Sequence, residues 1–93
     1  MIKGFKSSSL GKFYYQSVKK GISKQHTEKL ARILDRLNQA SDVQKDMRYP
    51  GSELHKLEPK NDERWAVKVD KNWRITFIFK NGDAYEVDYI DYH

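Results

Sequence analysis

The chain has no cysteine, which excludes disulfides and thiolate metal sites and is compatible with the cytoplasm. It has no apolar run near the roughly 20 residues that a membrane span requires. Its start, Met1-Ile2-Lys3-Gly4-Phe5-Lys6, lacks the apolar middle of a signal peptide. Histidine is scarce, with three in all, and no pair stands at metal-ligand spacing, so no metal site is expected. There is no P-loop, no glycine-rich dinucleotide turn and no nucleophile elbow. Only two prolines interrupt the chain, and Pro50-Gly51-Ser52 is its clearest break. That break separates a helical half from a β half but is too short to be a domain linker, so residues 1–93 are expected to form one domain with a small core.

What the chain does have is rings and positive charge. Its mean hydropathy is −0.92, yet 13% of residues are aromatic, a composition of folded domains that pack on a few large side chains. Lysine and arginine number 18 against 13 acidic residues, giving a net charge of +5. A small basic domain suits a polyanion such as RNA or DNA, and equally serves solubility. Charge alone does not choose between these.

The organising stretch is Trp73-Arg74-Ile75-Thr76-Phe77-Ile78-Phe79. Trp73, Ile75, Phe77 and Phe79 share one side, with Arg74, Thr76 and Ile78 on the other, so the period of two predicts a half-buried strand. An arginine in mid-strand on the open face offers a fixed charge and a planar fork.

Upstream, Ile2 to Lys6 reads weakly as an edge strand. Ser7, Ser8 and Ser9 offer a helix N-cap, Leu10, Phe13, Tyr14 and Val18 follow at helical spacing, and Gly21 is a natural stop. A second helix begins near Ser23 to Thr27 with the stripe Leu30, Ile33, Leu34 and Leu37. The two helices are expected as an antiparallel pair covering one face of a sheet. One helical turn is expected around Val43 to Lys45, and a short strand over Leu54 to Leu57. Three strands then follow, Trp65 to Val69, Trp73 to Phe79 and Ala84 to Tyr89. The fold class is therefore α+β, with two N-terminal helices on one face of a small, mostly antiparallel sheet, in β-α-α-β-β-β-β order.

Apolar parity constrains both hairpins. A three-residue loop Asp70-Lys71-Asn72, with Asn72 left-handed, pairs Val69 with Trp73 and Val67 with Ile75. The same test disfavours a two-residue Asn81-Gly82 turn. A loop of Lys80-Asn81-Gly82 pairs Phe77 with Tyr85, Ile75 with Val87 and Trp73 with Tyr89. The opposite face then carries Lys68, Arg74 and Asp88 side by side, with Thr76 and Glu86 in the next row.

His26 reads as a solvated surface residue. His55, Arg74 and the tail Asp91-Tyr92-His93 form a dispersed set suited to phosphodiester cleavage. Histidine, with a reference pKa of about 6.5, can move a proton in either direction near neutrality. Arg74 can hold the charge that builds on the phosphate.

These residues carry a resemblance. The Met-Ile-Lys-x-Phe-Lys start, the two helices, Leu54-His55-x-Leu57, Asn72-Trp73-Arg74-Ile75-Thr76-Phe77, Gly82-Asp83-Ala84 and Asp91-Tyr92-His93 resemble the HigB toxins. These are a branch of the RelE/ParE superfamily of bacterial type II toxin–antitoxin systems. The resemblance implies a RelE-like fold and a cytoplasmic, ribosome-dependent mRNA interferase. Such an enzyme cuts mRNA in the A site of the 70S ribosome, through 2′-hydroxyl attack and without metal or other cofactor. Carried over by motif, His55 and His93 are acid/base candidates and Arg74 a phosphate clamp. Asp91 and Tyr92 orient substrate or assist proton transfer, and Tyr92 can stack on a base. The family tends to follow His-Pro-Leu with Lys-Gly, where this chain has His55-Lys56-Leu57-Glu58-Pro59. Lys56, Lys60 and Lys68 are therefore candidates for the missing RNA-binding charge. The resemblance also implies a helix-turn-helix antitoxin (HigA-like), with operator DNA reached only through it and no membrane partner. Two other readings are a ParE-like toxin that poisons gyrase and an RNA-binding module without catalysis.

Overall fold

The computed structural model describes residues 1–57 and 63–92. Glu58, Pro59, Lys60 and His93 lie outside the described residues, and with them two of the candidate site residues, Lys60 and His93.

Three helices precede the sheet: α1 (Ser8–Gln16), α2 (Thr27–Gln39) and the short α3 (Val43–Asp46). Ser7 caps α1 by accepting the Leu10 N–H at 3.1 Å. The helix closes one turn earlier than Gly21 suggested, because Ser17 already takes the left-handed conformation at φ 59°. Val18 is thereby left outside it. A single 3-10 turn, Lys24–His26, leads into α2, which buries Leu30, Ile33, Leu34 and Leu37 as the stripe requires. Asp42 caps α3 through the N–H groups of Gln44 and Lys45. No helix among the described residues is long and apolar enough to cross a membrane.

Four strands, β1 (His55–Lys56), β2 (Arg64–Lys68), β3 (Trp73–Lys80) and β4 (Asp83–Asp91), form an antiparallel meander in sequence order. The N-terminal segment runs parallel to the free edge of β4 through isolated bridges Ile2↔Ala84 and Phe5↔Val87. It lies where an edge strand was expected but makes no continuous ladder. Thus the element order opens on two bridges rather than a strand, and α3 lies where one helical turn was expected. One core of buried apolar side chains joins Leu10 and the α2 stripe to Trp65, Val67, Ile75, Phe77 and Val87 of the sheet.

The first hairpin has the expected pairing, with Lys68 opposite Arg74, Val67 opposite Ile75 and Val69 N–H bonded to Trp73 O at 2.9 Å. Asn72 is not left-handed, however. The loop is closed by Asp70, whose Oδ1 accepts the N–H groups of Asn72 (2.9 Å) and Trp73 (2.8 Å).

The second hairpin corrects the parity argument. Lys80 pairs with Asp83 across a two-residue Asn81-Gly82 turn, both residues having positive φ (51° and 80°). Parity is restored by a bulge: Ile78 faces Tyr85 while Thr76 faces Asp88, so Glu86 and Val87 together oppose Phe77. Glu86 supplies the left-handed residue at φ 49°. In consequence Ile75 pairs with Tyr89, Trp73 with Asp91 and Arg74 with Ile90. Asp88 falls in the row of Thr76, not beside Arg74.

Candidate active site

Strand alternation sorts the candidates onto two faces. Row partners Lys68, Arg74 and Ile90 share the face away from the helices with the row His55, Ala66, Thr76 and Asp88. Two strand spacings and two residues of rise separate His55 from Arg74, about 12 Å between Cα atoms, so their side chains can reach one phosphodiester. Tyr92 follows Ile90 on this face and lies 5.4 Å from ring centroid to Arg74 Cζ. Asp91 stands in the row of Trp73, on the helix-facing side. Lys56 pairs with Trp65 and holds its ammonium 5.5 Å from that ring, outside the Arg74 row.

Arg74 is held by carbonyls. Its Nη1 donates to Asp70 O at 2.6 Å and to Trp73 O at 3.0 Å. Nε and Nη2, the edge that grips an oxyanion bidentately, lie outside both bonds. His55 is exposed, and its Nδ1 faces Glu53 O at 2.9 Å. A carbonyl only accepts, so Nδ1 carries the hydrogen and the neutral ring presents its lone pair at Nε2.

Two features of the site have no signature in the sequence. Glu53, left-handed at φ 46° just past the Pro50-Gly51 break, brings a carboxylate 3.1 Å from Lys68 Nζ. Lys68 first, then Arg74 and His55, hold its carboxyl below the ordinary range. The other is His26, which is 4% exposed rather than solvated. Its Nε2 donates to Asp70 Oδ2 at 2.7 Å and its Nδ1 meets the Tyr89 hydroxyl at 2.6 Å. Those partners are 44 and 63 residues away in the chain, beyond any local pattern.

Both carboxylate oxygens of Asp70 are thereby engaged. The bond from His26, then the N–H groups of Trp73 and Asn72, hold its pKa at about 2 rather than 3.8. A depressed carboxyl contributes stability that is complete above its unfolded value and lost as pH falls through the folded one. Urea unfolding of wild type and Asp70→Asn should therefore differ by a constant amount above about pH 5, the gap closing between about pH 4 and pH 2. A gap that persists undiminished at pH 2 would show that ionised Asp70 does not stabilise the loop.

Among the described residues, an arginine fork, a lysine, an aromatic ring and a histidine thus share one face of an α+β sheet. The family model for RelE-like toxins of the type II toxin–antitoxin system HigB matches residues 3–93. The chain belongs to that family. It is also 41% identical, over 96 aligned positions spanning both chains in full, to the protein named Endoribonuclease HigB of Proteus vulgaris.

Proposed function

We propose that this chain is an endoribonuclease that cleaves mRNA in the ribosomal A site, with its reacting groups on the Arg74 face of the sheet. The free Nε–Nη2 edge of Arg74, between Lys68 and the Tyr92 ring, is the observation that carries the reading. The scissile phosphate sits on that edge, where a guanidinium gains most as charge builds on the phosphoryl oxygens. Nε2 of His55 takes the proton of the ribose 2′-hydroxyl. A bond forms from O2′ to phosphorus and the bond from phosphorus to O5′ breaks, leaving a 2′,3′-cyclic phosphate. His93, an acid/base candidate by the family motif, is then left to protonate the departing O5′. Tyr92 stacks on a neighbouring base. Lys68 exchanges its Glu53 partner for an RNA phosphate, which supplies the charge missing where the family lysine is Glu58. Asp91, on the opposite side of the sheet, is not among the reacting groups. The antitoxin partner implied by the family is a HigA-like helix-turn-helix protein.

Primer extension on ribosomes programmed with a defined message tests this, run beside a gyrase supercoiling assay. New 5′-hydroxyl ends within the A-site codon, with supercoiling untouched, are expected. Inhibited supercoiling with intact message would replace the nuclease by a gyrase poison. RNA binding without cut products would reduce the chain to a binding module.

A further inference from the structure

The loop Asp70-Lys71-Asn72 holds both halves of the Arg74 face. The Asp70 carbonyl accepts from Arg74 Nη1, and the Asn72 carbonyl accepts from the Tyr92 backbone N–H. The first bond sets the guanidinium; the second sets where Tyr92 leaves the sheet. Among the described residues, the Asp70 side chain ties the loop to the turn that opens α2. Its carboxylate splits its two oxygens, Oδ1 closing the turn on Asn72 and Trp73, Oδ2 receiving His26 Nε2.

His26 is well placed to be rigid. It stands at the 3-10 turn that opens α2, 4% exposed, with the Trp73 ring 6.0 Å away edge-on. Its other nitrogen is bonded to Tyr89, whose ring stacks on Trp73 at 4.4 Å and 24°. All of these groups lie on the helix-facing side, so none can touch an RNA held on the Arg74 face. A buried histidine with both nitrogens engaged is costly to free, because either unmet partner is left desolvated.

We infer that His26 is a positioning residue for RNA cleavage: it pins the Asp70–Asn72 loop from beneath the sheet and so fixes Arg74 and Tyr92 on the upper face. This rests on the nuclease reading above. A looser loop lets the guanidinium swing while the site keeps every group it had. Misplacement on the order of 1 Å costs about 100-fold in rate. The loss falls on the chemical step and not on mRNA capture, which many surface charges share.

The side-chain amides separate the two bonds of His26. Glutamine places its NH2 where Nε2 was and can still donate to Asp70; asparagine reaches only the Nδ1 position, toward Tyr89. Single-turnover cleavage on programmed ribosomes should be measured for wild type, His26→Gln, His26→Asn, Arg74→Ala and the His26→Asn/Arg74→Ala double variant. All are assayed well below their melting temperatures. His26→Asn should lose about 10- to 100-fold in rate at saturating ribosome, with half-saturation little changed, and His26→Gln should recover most of it. The double variant should be no slower than Arg74→Ala within about threefold, since only Tyr92 is then left for His26 to act through.

Equal rates for His26→Asn and wild type would overturn the inference, as would a His26→Asn loss that multiplies onto that of Arg74→Ala. If His26→Asn does not fold, Asp70→Ala removes the same contact from the loop side and must show the same non-additivity. Arg74→Ala at the wild-type rate would sink the nuclease site and this inference together. Arg74→Ala impaired with His26→Asn intact sinks the inference alone.

Discussion

Arg74→Ala is expected to slow RNA cleavage by about 100- to 1,000-fold, the cost of removing a group that stabilises charge mainly in the transition state. Folding should hardly register the change. Arg74 is half-buried, and its two bonds go to loop carbonyls of Asp70 and Trp73. Truncation leaves a shallow notch that water can enter, so a melting temperature within a few degrees of wild type is expected. Arg74→Lys separates charge from geometry. A lysine restores the positive charge but not the planar fork that bonds carbonyls through Nη1 while offering Nε and Nη2 to a phosphate. It should recover less than a tenth of the lost activity, and Arg74→Lys near the wild-type rate would mean that Arg74 supplies a point charge and no more. Growth arrest in cells should follow the same order as the cleavage rates.

The parts of the fold visible in the sequence are those set by local periodicity. The α2 stripe, the Ser7 cap and the alternation from Trp73 to Phe79 each follow from spacing along a few turns or residues, and each lies where spacing put it. The first hairpin could be registered because its strands contain no irregularity. The second could not, because parity counts residues and a bulge adds one. A three-residue loop without a bulge and a two-residue Asn81-Gly82 turn with one satisfy the same alternation up to Phe77 and differ beyond it. The Asn-Gly pair, with its preference for positive φ at both positions, was the better guide. That error set Asp88 in the row of Arg74, whereas it stands in the row of Thr76. Asp91 was a candidate through the terminal tripeptide and not through register.

The site was legible only where its residue types are chemically unusual for their setting. An arginine in mid-strand stands out. A histidine in the first turn of a polar helix does not, because its burial depends on Asp70 and Tyr89 arriving from far along the chain. Glu53 is hidden for a related reason. Its importance comes from the left-handed backbone after Pro50-Gly51, which turns an ordinary surface carboxylate toward Lys68.

Phe77→Ala should be the most damaging single change to stability, costing about 3–5 kcal/mol by urea unfolding. Phe77 is fully buried on β3, flanked by β2 and β4, and it is the residue that the bulge on β4 is built around. Its backbone pairs with Trp65 across one ladder and stands opposite Glu86 and Val87 across the other, and its ring meets Phe79 edge-on at 6.4 Å. A regular strand could slide a neighbouring side chain into the void. The bulge cannot, since Glu86 is bound to Arg64 through both its backbone and its carboxylate, at 3.1 Å and 2.9 Å. The cavity therefore stays, and the full cost is felt. Small domains hold about 5–15 kcal/mol in total, so Phe77→Ala should leave a sizeable unfolded population at 37 °C. The variant should lose toxicity in warm cells and regain much of its cleavage rate in the cold, where the folded fraction recovers. Arg74→Ala should be equally inactive at both temperatures. Loss of less than about 1 kcal/mol on Phe77→Ala would show that the strand beneath Arg74 repacks freely, and a strand that repacks freely could not hold a guanidinium to the tolerance that cleavage demands.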